Sequence, residues 1–211
     1  MRKWYPWALI GAVVVFSLAV YHRLPERLPT HWDAGGVPDG WSGRPVGVWL
    51  IPGIMIAVAL ILPLLPNIDP RRENYEKFRP TYDLVVNSVI TLLAIIDVAM
   101  IGVGLGWPLS MERFVPLMVG GLFVFLGNLM PRARPNWWFG IRTPWTLSND
   151  RVWDRTHRLG GYVFVSGGLL LVAASFLPPP VTVGVLITVC VVATGGLLVY
   201  SFFAWKQEKP Q

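Results

Sequence analysis

The sequence predicts an all-α fold: a polytopic membrane helix bundle with six transmembrane helices and both termini in the cytoplasm. Three observations carry this expectation. The chain is 54% hydrophobic and only 14% charged, against roughly 45–50% and about 25% in soluble domains. Its apolar residues gather into long blocks, not the periodic stripes of a soluble amphipathic helix. Its lysines and arginines collect in every second connection between those blocks, as the positive-inside rule asks of a multi-pass protein.

The blocks cover approximately residues 7–21, 46–65, 84–106, 115–130, 159–177 and 181–204. A spanning helix needs roughly 20 apolar residues, so the first and fourth are short and depend on flanking tryptophans. With no water in the bilayer core, each segment must satisfy its own backbone, which makes each a helix. The first block also has features of a signal peptide, since Arg2 and Lys3 precede it and Ser17-Leu18-Ala19 is a small-x-small site. The apolar run continues through Val20 and Tyr21, which favours an uncleaved span. In linear order the chain divides into residues 1–66, with spans 1 and 2 around a Pro/Gly/Trp-rich loop, and residues 67–211, with spans 3 to 6 and a basic loop.

Orientation follows from the cations. The N-terminus, the second loop (Arg71, Arg72, Lys77, Arg79), the fourth loop (Arg132, Arg134, Arg142, Arg151, Arg155, Arg158) and the tail (Lys206, Lys209) place 14 on one side. Arg23, Arg27, Arg44 and Arg113 place four on the other. The side with 14 is expected in the cytoplasm. In a soluble protein the net charge of +6 would raise nucleic acid as a partner. Here anionic lipid headgroups are nearer, and no direct nucleic-acid contact is expected. Trp4, Trp7, Trp49, Trp107 and Trp205 fall near span ends, where amphipathic rings prefer the headgroup zone. The other six tryptophans lie in the first and fourth loops, which suggests loops folded against the membrane surface.

Small residues mark close helix packing. Gly102 and Gly106 form a GxxxG, and glycine pairs occur at 120–121, 160–161, 167–168 and 195–196. Packing within the monomer and dimerisation would both use them. The lone Cys190 makes neither an intramolecular disulfide nor a cysteine zinc site, and reads as a small packing residue.

Two loops carry information. The first, expected outside, contains His31, Trp32, Asp33, Asp39 and Trp41 among prolines and glycines that exclude a long helix. Its spacing fits neither a zinc helix motif nor a calcium loop. It is expected to form a compact cap in which His31 and the two aspartates bond local backbone amides, or else an outer ligand site. The fourth loop runs Gly127-Asn128-Leu129-Met130-Pro131, Arg134-Pro135-Asn136, Gly140-Ile141-Arg142-Thr143-Pro144-Trp145-Thr146-Leu147, Trp153 and Thr156-His157-Arg158. Arg142 and Arg158 could grip carboxylates or phosphates through paired donors, or meet lipid phosphates.

That order of residues closely resembles the signature of the SdpI family of bacterial membrane immunity proteins. The first loop and its flanking spans resemble the small membrane domain of unknown function that often precedes it, so the resemblance covers nearly the whole chain. It implies six spans with both termini inside, protection against an exported killing peptide, and capture of a cognate transcriptional repressor at the membrane when toxin is present. The inner-loop residues expected to bind a ligand or partner are Asn128, Asn136, Arg142, Thr143, Trp145, Thr156, His157 and Arg158. His31, Trp32, Asp33, Asp39 and Trp41 are their outer counterparts.

Asp97 is the one ionisable residue deep in a span. A charged residue there costs about 2.5–3.5 kcal/mol on insertion scales, so it should face the bundle interior. It could centre a small ion-coupled transporter, or make a single hydrogen bond, with Thr188 and Thr194 as candidate partners. Enzyme chemistry has the least support: His22, His31 and His157 are the only histidines, and no HExxH, GxSxG or Walker loop is present. The chain is expected to be non-enzymatic, without metal or cofactor. A membrane enzyme acting on a lipid or peptide is the remaining alternative.

Overall fold

The structure, a computed structural model, describes residues 4–208. Arg2, Lys3 and Lys209, counted above for orientation, lie outside the described residues. Among the described residues, six helical segments are long and apolar enough to cross a membrane: Tyr5–Arg23, Arg44–Ile68, Glu73–Gly104, Met111–Arg132, Asp150–Ala174 and Pro179–Gln207. Their apolar side chains point outward as well as inward. Val15, Leu60, Leu170, Val191 and Phe203 are all more than half exposed, a surface that only lipid can cover without cost. The chain is a multi-pass membrane protein.

Two spans start earlier than their apolar blocks. Helix α3 (Glu73–Gly104) begins 11 residues before position 84, and α6 (Asp150–Ala174) nine before 159. Hydropathy marks where a helix meets lipid, whereas capping marks where it starts. The Asn149 side chain accepts from the amides of Arg151 and Val152, and Glu73 and Glu76 sit in the first turn of α3, where the helix dipole favours anions. Lys77, Arg79, Arg151, Arg155 and Arg158 are therefore helical, not loop, residues.

The chain forms two compact units, residues 1–63 with 86–115, and residues 64–85 with 116–211. In the first unit, α1 (Tyr5–Val20) and α2 (Arg44–Ile61) flank a β-hairpin of β1 (Arg27–Trp32) and β2 (Pro38–Gly43). Tyr5 meets Thr91 at one end of α1 (2.8 Å), and Phe16 meets Trp107 at the other. Helices α1 and α3 therefore run in the same direction, as alternating first and third spans must. The hairpin is seated by Leu28, fully buried with Leu24, Val48 and Ile101. Two glycines make room for it: a Cβ at Gly104 would lie 2.3 Å from Leu28 Cδ2, and one at Gly47 3.0 Å from its Cβ. The GxxxG at 102 and 106 serves this unit internally. The Trp107 indole covers Gly102, and Gly106, at φ 85°, ends the helix in a conformation that side chains resist.

In the second unit, α4 (Met111–Leu129) from residue 116 onward packs antiparallel on α6 through two glycine layers. A Cβ at Gly120 would lie 2.7 Å from the Gly168 carbonyl oxygen, and one at Gly127 would lie 2.9 Å from that of Gly161. Both helices thus place glycines seven residues apart, on one face. Helix α5 (Pro144–Ser148) is a single capped turn. The last span comprises α7 (Pro179–Val191), a π turn over Val192–Gly196, and α8 (Leu197–Gln207). Helices α2 and α4 both run into proline-containing 3₁₀ turns, Leu62–Ile68 and Met130–Arg132.

Candidate functional site

The connection between α4 and α6 in the second unit is tied down by side chains, because an irregular segment packed on helices must place every backbone polar group. Asn136, fully buried, does most of this. Its Oδ1 accepts from the amides of Trp138 (2.9 Å) and Phe139 (2.7 Å), and its Nδ2 donates to the carbonyls of Arg134 and Phe139. The Tyr75 hydroxyl lies 3.2 Å from Asn136 Oδ1 and 2.9 Å from Asp69 Oδ2. Asp69 is itself buried and accepts from the amides of Arg71 (2.7 Å) and Trp137 (2.9 Å). Arg71 then reaches the Leu147 carbonyl and pairs with Asp150, both at 2.8 Å. The turn between the second and third spans is thereby fastened to the signature loop.

His157 fixes the other half. Its Nε2 accepts from the Ile141 amide (2.9 Å) while Nδ1 faces the Trp153 carbonyl (2.9 Å). The proton therefore sits on Nδ1, the only tautomer that serves both contacts. The ring stacks on Trp153 at 3.9 Å between centroids, and Trp153 Nε1 donates to the Ala133 carbonyl. Gly140 passes against the imidazole at φ 108°, where a Cβ would fall 2.3 Å from Nε2. Thr143 and Thr146 form a reciprocal capping box on α5, and Thr143 meets Ser201 of α8 at 3.0 Å.

The residues singled out from the sequence separate into two groups. Asn136, Thr143, Thr156 and His157 are buried, and all but Thr156 bond the loop to its surroundings. The Thr156 hydroxyl has no partner among the described residues. Arg142 and Arg158 are exposed; Arg142 donates to the Trp137 carbonyl (2.8 Å). Trp145 meets Phe202 edge-on. Asn128 stands apart, exposed on α4 and donating to the Val124 carbonyl of its own helix. The exposed residues of the connection include Arg134, Trp137, Trp138 and Arg142, and Arg158 is exposed on α6. Trp153 corrects the expectation of a loop tryptophan at the membrane surface: it is fully buried, on α6.

In the first unit, the expected cap is a hairpin. Asp33 behaves as anticipated, its Oδ1 accepting from the amides of Gly35 and Val37. His31 and Asp39 do not bond amides but each other, at 2.5 Å across the strands, and Trp41 is exposed. Asp97 is fully buried, and neither of its oxygens has a hydrogen-bond partner among the described residues. Of the two candidate threonines, Thr188 donates its hydroxyl to the Gly184 carbonyl of its own helix.

Asp69, Tyr75 and Leu28 were not anticipated. For Asp69 the available signal was an acidic residue before a proline in an otherwise basic turn. Its buried role depends on a partner 68 residues away and has no local pattern.

Fold and loop together define a multi-pass helical membrane protein whose fourth connection is a tightly bonded, arginine-rimmed platform. Residues 132–201 match the SdpI/YfhL protein family, and residues 8–56 match a domain of unknown function, DUF1648. Both matches fall where the motifs of the sequence pointed. It is 29% identical over 160 residues to the immunity protein SdpI of Bacillus subtilis (strain 168), covering 76% of this chain and 74% of that protein. No solved structure matches.

Proposed function

We propose that the chain is an immunity protein of the cell membrane that protects against an exported antimicrobial peptide. The observation that carries this reading is the 29% identity to an immunity protein over 76% of the chain. The two matched regions, residues 8–56 and 132–201, support an N-terminal and a C-terminal domain, and the boundary near residue 66 is part of this proposal. The 14-to-four asymmetry of cations supports a cytoplasmic position for both termini and the basic loops. The hairpin, with His31, Trp32, Asp33, Asp39 and Trp41, then faces outside and meets the peptide or guards the lipid around it. The signature loop, through Arg142, Arg158 and their neighbours, transmits that state or holds a cytoplasmic protein such as a transcriptional repressor. A bound peptide shifts the bundle only as far as it prefers one of its conformations. Expression in a toxin-sensitive bacterium tests the proposal: survival against at least one secreted peptide is expected, and unchanged killing across a panel would sink it.

One observation favours a second reading. A buried carboxylate whose two oxygens have no hydrogen-bond partner among the described residues, at Asp97, is what a small ion-coupled transporter would keep in a span. Flux in liposomes should then disappear in Asp97→Asn, and flux that persists unaltered removes this reading.

A further inference from the structure

Where the second span turns into the third, the second unit contains an open cleft of about 480 Å³, within the roughly 300–1,000 Å³ of small-molecule sites. Pro66 and Tyr75, both buried, form its floor; Arg72, Glu73, Glu76 and Arg79 stand exposed around it. Four charges in two signs on adjacent turns would ordinarily pair. Here they do not. Arg79 directs its Nε to Asp83 at 3.1 Å, and among the described residues Arg72, Glu73 and Glu76 have no side-chain hydrogen bond or ion pair. The floor cannot collapse to bring them together, because the Tyr75 hydroxyl is anchored on Asp69 and Asn136. The cleft thus keeps two guanidinium groups and two carboxylates apart, with room between.

We propose that this cleft binds the phosphoethanolamine headgroup of a membrane phospholipid. Arginines take a phosphate through paired donors. The two carboxylates complement a primary ammonium, which offers three hydrogen-bond donors; a quaternary ammonium offers none. Membrane lipid, and not a soluble phosphoester, is the source because of the position. The cleft lies at the turn joining two spans, and the adjoining Leu64 and Ile68 are 59% and 67% exposed, an apolar surface for the acyl chains.

The test uses the full chain in detergent, with lipid retention followed by native mass spectrometry. Phosphatidylethanolamine, phosphatidylcholine and phosphatidylglycerol with identical chains are added in turn. The ethanolamine lipid is expected to saturate at about tenfold lower concentration than the other two. Arg72→Gln and Glu76→Gln, both at exposed positions, should each abolish that preference, while Lys77→Gln, outside the cleft, should keep it. Equal retention of the three lipids, or a preference unchanged in both variants, overturns the proposal. Displacement by an equal concentration of soluble glycerophosphoethanolamine overturns the assignment to a membrane lipid.

Discussion

The glycine layers between α4 and α6 make a prediction whose size follows from the geometry. In Gly168→Ala the new Cβ falls 2.5 Å from the Gly120 carbonyl oxygen and 2.7 Å from the Val124 amide nitrogen. The first distance is about 0.9 Å short of the 3.4 Å at which ordinary contact begins. Neither neighbour is a side chain that can rotate away, so the helices themselves must part, which also loosens the layer at Gly127 and Gly161. Overpacking of this kind costs about 1–3 kcal/mol, and backbone obstacles belong at the upper end. Alanine regains about 1 kcal/mol over glycine within a helix, leaving a net loss of about 2 kcal/mol. Gly121→Ala is the matched control. Its Cβ meets nothing within 4 Å, so only the gain of up to about 1 kcal/mol applies. Unfolding in mixed micelles, followed by tryptophan fluorescence, should separate the two variants by about 3 kcal/mol. Equal midpoints would refute the reasoning. In the double variant Gly120→Ala/Gly168→Ala, the loss should be smaller than the sum of the singles, because the first separation makes room for the second methyl.

Leu28→Ala should cost about 2–5 kcal/mol by emptying the pocket shaped by Gly47 and Gly104, read as a lowered unfolding midpoint in detergent; a loss below about 1 kcal/mol would mean that the hairpin is not anchored there. Asp69→Ala strips an acceptor from two amides and the Tyr75 hydroxyl, at about 1–3 kcal/mol for each donor left buried. Limited proteolysis of purified protein should then cut within the 133–149 loop faster than in the parent, and an unchanged cutting rate would count against Asp69 as its fastener. Gly140→Ala must escape both a positive φ and a collision with His157 Nε2, so it should destabilise more than His157→Gln, whose amide can still accept from Ile141; the reverse order in thermal unfolding would exclude the close approach as the cause. Arg158→Ala, at an exposed position with no side-chain partner among the described residues, should shift stability by no more than about 0.5 kcal/mol, and any effect on survival in the immunity assay would then report recognition instead of folding.

The spans were legible because lipid imposes one rule on every residue of a segment, and hydropathy averages that rule over about 20 positions. Helix starts were less so: at Glu73 and Asp150 the deciding groups are a few capping atoms outside the apolar blocks. The hairpin escaped because its strands are short and rich in proline and glycine, and because Leu28, which seats it, looks in sequence like one more loop residue. The glycine pairs at 120–121, 160–161 and 167–168 were recognised as packing sites, whereas the pair at 195–196 meets no neighbouring helix among the described residues. Which member of each pair touches a neighbour depends on the rotation of the helix, and at 120–121 only the first does. In the signature loop, Asn136, Thr143, Thr156 and His157 stood out as polar residues among aromatics. Their burial could not be read, since the Tyr75 hydroxyl that meets Asn136 and the Ser201 hydroxyl that meets Thr143 arrive from distant helices, and the Ile141 amide from which His157 accepts lies 16 residues away.

That division bears on what a family resemblance can carry. Much of the motif by which the loop is recognised consists of residues that satisfy backbone groups inside it: Asn136 for Trp138 and Phe139, His157 for Ile141, Thr143 for Thr146. Such residues recur wherever this loop must fold, whatever the protein meets, because an unpaired buried amide costs about 1–3 kcal/mol in any of them. The motif is therefore a stronger statement about the second unit's architecture than about its partner. Recognition then falls to groups that folding leaves exposed: the exposed arginines and tryptophans of the loop, the charges around the Tyr75 cleft, and the His31–Asp39 pair and Trp41 on the hairpin. Substitutions at those positions can alter binding without loosening the fold, and it is there that an immunity protein would distinguish its own toxin from another.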